Sequence, residues 1–235
     1  MFIARLAGHN IEIDNRYLYL RELFKDYMAD GEAEFSVSVT DEEIEKERIE
    51  TLDPPKSYLE SLAVYRKICE KLLFDDIVLF HCSALSFEGK AILFTAPSGT
   101  GKSTHAALWR KKFGSLVTMI NDDKPLLKIG ESGVTVFGTP FGGKENIQTN
   151  MSAEAAAVVI LRQEKENSIR RLTFTEAFPT LLNQTYRVKT NEGFQKTLEL
   201  FNFFGELPVY SLGCNISIEA VDTVYNALKN DGILP

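Results

Sequence analysis

Residues Ile92 to Thr104 read ILFTAPSGTGKST. An apolar run leads into this stretch and a helical pattern opens directly behind it. A buried strand therefore delivers the chain into Ala96 to Ser103, and a helix carries it away. Ala96, four intervening residues, then Gly101, Lys102 and Ser103 form a Walker A pattern with alanine at its first glycine position. Gly99 and Gly101 allow the backbone to turn successive N–H groups inward as an anion nest. The helix behind adds its positive N-terminal end. Lys102 can reach the β- and γ-phosphates of a nucleotide, and the Ser103 hydroxyl is a hard oxygen donor suited to Mg²⁺. Ser98, Gly99, Thr100, Gly101, Lys102, Ser103 and Thr104 are the candidate nucleotide-binding residues.

Asp122 and Asp123 follow the predicted strand Leu116 to Ile120, some twenty residues beyond Lys102. The order strand, loop, helix, strand predicts a crossover that returns the chain beside the loop strand, with both acids at the sheet's end near the phosphates. One carboxylate there can hold Mg²⁺, directly or through water. The other can orient and deprotonate an attacking hydroxyl. A plain solvated turn is the competing reading of these two acids. Gly138 to Asn146, GTPFGGKEN, reads as a mobile glycine loop that brings Lys144 to a phosphate; its competitor is an ordinary exposed turn. His81 precedes the hairpin that feeds the loop. It either bonds a carboxylate or is a satisfied core residue. His105 and Trp109, just inside the helix, read as core.

Working outward, strands are expected at Phe2 to Leu6, Ile11 to Ile13 and Ala33 to Val39, with a helix near Leu20 to Tyr27. Val39 to Ser57 combines a charge-rich run with Pro54-Pro55 and reads as a surface connection. The apolar spacing of Tyr58 to Phe74 predicts a helix. Asp76 to Phe87 reads as a strand, Glu88 to Lys90 as a tight turn and Ala91 to Thr95 as a second strand. A helix is expected at Ser103 to Phe113, and a hairpin at Pro125 to Phe137 turning at Gly130 to Gly133. Strands at Ala156 to Leu161, Ser168 to Phe174 and Pro208 to Leu212 then mix with helices at Thr175 to Asn183, Glu192 to Phe204 and Ser217 to Asn230. Tight turns between neighbouring strands predict a mixed sheet. The expected organisation is a small N-terminal α+β portion, residues 1–57, followed by one α/β domain, residues 58–235.

Composition narrows the function. The 235 residues carry 26 Lys+Arg against 33 Asp+Glu, a net charge of −7, which argues against a binder of duplex nucleic acid or anionic membrane. Cys69, Cys82 and Cys214 lie far apart and odd in number, so they predict buried reduced thiols, with neither a disulfide framework nor a zinc site. His9, His81 and His105 have no metal-ligand spacing. The longest apolar run, Ala155 to Leu161, is far below the ~20 residues of a membrane span. The N-terminus lacks the pattern of a signal peptide. A cytoplasmic protein is expected.

The set His81, Ala96 to Thr104, Asn121 to Lys124 and Gly138 to Lys144 resembles the C-terminal domain of HPr kinase/phosphorylase. More closely, it resembles the compact HPr-kinase-like proteins often found with peptide-modification genes. That group is similar in fold to phosphoenolpyruvate carboxykinases. The resemblance covers roughly Asp76 to Leu182. It implies a mixed-sheet P-loop kinase core using ATP and Mg²⁺. It further implies that Lys102 and Ser103 bind nucleotide phosphate and metal, that Asp122 is the acid/base aspartate, that Asp123 is the metal-side aspartate, and that His81 is the histidine beside them. Residues 1 to about 75 are fewer than that family's N-terminal domain, and Gly138 to Lys144 stands where its glycine-rich signature would be. The expected activity is transfer of a γ-phosphoryl group to a hydroxyl, on Ser or Thr of a peptide or small protein. A small-metabolite kinase is a variant of that reading, a nucleotide-sensing or scaffold module is the alternative class, and a homo-oligomer stays open.

Overall fold

The computed structural model of the chain describes residues 1–49 and 53–235. It divides into two compact units, Met1–Ile77 and Val78–Pro235.

In the first unit, β1 (Phe2–Leu6) and β2 (His9–Ile13) form an antiparallel hairpin. Its two turn residues, Ala7 and Gly8, both have positive φ, as the twist of a two-residue hairpin turn requires. β3 (Phe35–Val37) adds to β2 in parallel. Among the described residues three α-helices accompany this sheet: α1 (Leu18–Leu23), α2 (Asp41–Glu45) and α3 (Lys56–Leu72). α2 lies inside the charged run expected to be a plain connection. Thr40 and Glu43 close a reciprocal capping box, and Ile44 is buried. Part of that expected connection, residues 50–52, lies outside the described residues. α3 packs with α1, α2 and β3, so the helix assigned by sequence to the larger portion belongs to the N-terminal unit.

The second unit is built on a nine-stranded mixed sheet. Its main path runs β4 (Ile77–Leu79), β8 (Leu126–Gly130), β9 (Gly133–Phe137), β10 (Ser152–Gln163), β6 (Lys90–Thr95), β5 (Ser83–Phe87) and β7 (Val117–Asn121). β12 (Val209–Cys214) pairs in parallel with β10, and β11 (Ser168–Leu172) pairs antiparallel with β12. β10 is long enough to share one edge between two partners. Its first residues pair with β9 and its last six with β12, while β6 runs along the other edge. Two sequence expectations change here. The strand expected over Asp76 to Phe87 breaks between β4 and β5, because His81 leaves the ladder and donates its N–H to Gln184 O at 2.7 Å. And β7 does not lie beside the loop strand β6: β5, antiparallel to both, sits between them.

Four helices complete this unit: α4 (Lys102–Phe113), α5 (Phe174–Gln184), α6 (Asn191–Phe204) and α7 (Ile218–Asn230). Trp109 of α4 is fully buried against Phe87, Phe94 and Phe113, in a core that continues to Val221, Val224 and Leu228 of α7. A second aromatic set joins Phe80, Phe178, Phe201 and Phe204. Burial of rings this large supplies much of the stability that holds α4 behind the loop. The three cysteines are free. Among the described residues no helix is long and apolar enough to cross a membrane.

Candidate functional site

The loop between β6 and α4 is shaped by two glycines. Gly99 has φ +81° and Gly101 φ +116°, and a Cβ built on either meets nothing within 4 Å. The positive φ values are conformational demands that a side chain resists, while the space above the loop is open. Gly101 caps the N-terminus of α4, so the unpaired N–H groups of that first turn face the loop. Ser98, Gly99, Ser103 and Thr104 are exposed, and Thr100 and Gly101 are partly exposed. Lys102 is buried, and its ammonium folds back to donate to Ala96 O at 2.9 Å. Burial pulls its pKa down, opposed by the negative field of Asp123 and Asp122. The lysine and both acids thus share one electrostatic environment although 20 residues separate them in sequence.

The acids are held by a polar scaffold. Asn121 is fully buried at the end of β7. Its Oδ1 accepts the N–H of Asp123 at 2.9 Å and of Lys124 at 2.8 Å, and its Nδ2 donates to Thr139 O and Oγ1. Thr139 Oγ1 in turn donates to Lys124 O at 2.8 Å. Asp122 is buried and accepts the Ser83 hydroxyl on Oδ1. Asp123 is bracketed: His81 Nε2 lies 3.2 Å from Oδ1 and Lys124 Nζ 2.6 Å from Oδ2. Burial alone would lift the Asp123 pKa, but the His81 hydrogen bond and the Lys124 charge outweigh it and hold the carboxyl below its ordinary range. His81 is gripped through its ring as well, with Nδ1 2.9 Å from Gln184 Oε1. The Cys82 thiol is fully buried. Desolvation pushes its pKa well up, Lys102 opposes, and the two acids reinforce the rise, so it stays protonated at neutral pH.

The segment Gly138 to Lys144 is packed where the sequence suggested a mobile loop. A Cβ on Gly138 would land inside the van der Waals shell of Thr149 O and 2.8 Å from Ile120 O. A Cβ on Gly143 would stand 2.8 Å from Asp122 Oδ2. These glycines permit close approach of backbone to backbone and of backbone to a carboxylate. Lys144 is exposed beside Gly143, and its side chain has no hydrogen bond or ion pair among the described residues. Arg110 of α4 pairs with Glu145 at 2.7 Å and anchors the segment.

His81, Lys102, Asp122 and Asp123 are therefore brought together, with Ser83, Asn121, Lys124, Thr139 and Gln184 as their partners. Ser83 and Lys124 adjoin the predicted residues in sequence. Gln184 lies 103 positions from His81 and gives no local signal. His105 is core: it is buried against Phe94, accepts Trp109 Nε1–H at 3.2 Å, and burial lowers its pKa to about 4. Among the described residues no three His, Cys, Asp or Glu side chains group to hold a metal ion.

No protein-family model and no curated protein matches this chain. Among solved structures it is similar to the HPr(Ser) kinase/phosphatase from Coxiella burnetii, with 13% identity and a TM-score of 0.38 over 66% of this chain and 93% of that one. At that level the likeness assigns neither a family nor an activity.

Proposed function

We propose that the Val78–Pro235 unit is a P-loop kinase that binds Mg²⁺·ATP on the Ala96 to Thr104 loop and transfers the γ-phosphoryl group to a hydroxyl, on Ser or Thr of a peptide or small protein. The observation that carries this reading is the open, glycine-shaped loop that delivers the buried Lys102 to the N-terminus of α4; the negative charge of Asp123 and Asp122 acts on the same lysine. Phosphoryl transfer asks chiefly for positioning and charge neutralisation. The loop N–H groups and Lys102 supply these for the phosphates.

Asp122 is the acid/base residue of this reading. Ser83 holds one of its oxygens, and the other lies against the backbone of Gly143, so the acceptor hydroxyl has to approach Asp122 beside that wall. That hydroxyl gives its proton to Asp122 as its oxygen bonds to the γ-phosphorus. The β–γ bridge oxygen departs with the electron pair, leaving ADP. His81 orients Asp123, and Gln184 orients His81. Lys144 is the acceptor-side cation.

The donors near the loop, Ser103 Oγ and the carboxylates, are hard oxygens, the chemistry Mg²⁺ selects. Both Asp123 oxygens are already engaged by His81 and Lys124, so a metal there either displaces Lys124 or is held through water. When bound, the metal neutralises developing charge on the transferring group.

The test is incubation with γ-labelled ATP, Mg²⁺ and a panel of Ser- and Thr-containing peptides. Labelled peptide from the wild type, and loss of about 10²–10⁴-fold in rate for Asp122→Asn with nucleotide binding retained, is the expected result. Nucleotide binding with no transfer to peptides or to small hydroxyl metabolites would replace this reading with a nucleotide-sensing module.

A further inference from the structure

The glycine loop has two flanks. β5 and then β7 lie on one side of β6 and carry Ser83 and the Asp122–Asp123 pair. β10 lies on the other side, parallel to β6, with Ile160 opposite Thr95. On that second side an open groove of about 440 Å³ runs between Pro97 to Thr100 on one wall and Leu161, Arg162 and Gln163 on the other. Leu161 is buried beneath it, and Arg162 and Gln163 are exposed. Gln163 Nε2 donates to Thr100 O at 3.1 Å, which ties the end of β10 to the crest of the loop. The Arg162 side chain is 55% exposed, and among the described residues its guanidinium engages Glu164 alone, at 3.2 Å, itself on the surface. The loop wall of this groove belongs to the phosphate site proposed above, and the transfer step leaves the opposite wall, Leu161 to Gln163, without a role.

We infer that the groove seats the nucleoside half of the donor nucleotide, with Arg162 stacked on the face of the base. The inference rests on the reading proposed above and adds a polarity to it. A triphosphate is a linear chain. If its γ-phosphoryl points to Asp122 on the β5–β7 flank, the sugar and base must leave the loop on the β10 flank. The exposed Pro97 offers an apolar edge, and a guanidinium is planar, weakly hydrated and attracted to a ring face. Its present partner restrains it little, because an exposed ion pair in water is weak. Stacking reads a face that every base has, so this seat takes a nucleotide without reading the edges of its base.

The experiment is calorimetric titration of Mg²⁺·ATP and of Mg²⁺·tripolyphosphate, which lacks the nucleoside, into the full chain, Arg162→Ala and Lys102→Ala. Arg162→Ala should weaken ATP roughly tenfold, the scale of one base–side-chain stack, and leave tripolyphosphate within about twofold. Lys102→Ala should weaken both. An Arg162→Ala protein that binds ATP like wild type overturns the nucleoside seat alone. One that loses both ligands equally also overturns it, since Arg162 would then act on phosphates. A wild type that binds neither ligand overturns the phosphate-loop reading and the seat with it.

Discussion

The two glycine-bearing loops of the site use glycine for opposite reasons. At Gly99 and Gly101 φ is positive and a Cβ would stand in open space; at Gly138, Gly142 and Gly143 φ is not positive and a Cβ would strike Thr149 O and Ile120 O, the Gln148 side chain, or Asp122 Oδ2. One loop keeps its shape over an empty volume, as a surface that receives a ligand must. The other is filled to contact and forms a wall against a carboxylate. Both read as glycine-rich turns in the sequence. Only φ and the neighbouring atoms tell them apart.

The contrast predicts different damage from the same substitution. Gly138→Ala should cost the most stability. The obstructing atoms are backbone carbonyls that cannot swing away, so the penalty sits at the upper end of overpacking, about 3 kcal/mol or more. That corresponds to a fall in melting temperature of roughly 6–12 °C for a unit of this size. An unchanged melting temperature would show that the wall is not packed as described.

The helix behind the open loop gives the next effect. Burial holds His105 at a pKa of about 4, against 6.5 when unfolded, so the folded chain excludes a proton that the unfolded chain accepts. The folded pKa of this base is depressed, so its contribution is complete above pH 6.5 and is lost as pH falls from 6.5 toward 4. The loss reaches up to about 3 kcal/mol. His105→Gln keeps an acceptor within reach of Trp109 and should flatten this part of the curve in denaturant titrations at pH 7, 5.5 and 4. Equal pH slopes for both proteins would contradict the neutral, buried histidine.

Gly101→Ala should cost least, about 1–2 kcal/mol, because only backbone strain and no collision opposes it. Its nucleotide affinity should nevertheless fall, since the strain relaxes by moving the N–H groups that line the loop. Loss of stability comparable with Gly138→Ala would erase the distinction between the loops.

Much of this architecture was legible because its signals are local. The strand–loop–helix at Ile92 to Phe113 and the hairpin β8–β9 follow from periodicity and turn residues. The capping box at Thr40 and Glu43 was also there to be read, hidden within a run of charge. What stayed hidden depends on distant pairing. The insertion of β5 between β6 and β7 is a choice among sheet edges that no local pattern records. The grip of Gln184 on His81 joins the end of α5 to a break between strands. The packing of Gly138 and Gly143 becomes visible only when Thr149 and Asp122 are placed against them.

The central claim is that the open loop holds the phosphates of a nucleotide through Lys102. Titration of Mg²⁺·ATP into the wild type and Lys102→Ala, with thermal melts of both apo proteins alongside, tests it most directly. Lys102 is a buried cation whose head bonds a single carbonyl, so its removal should barely move the apo melting temperature. The account predicts ATP binding by the wild type and a loss of at least roughly tenfold in Lys102→Ala, on the scale of one charge-assisted contact. Equal ATP affinity in the two proteins, with both fully folded, would contradict it.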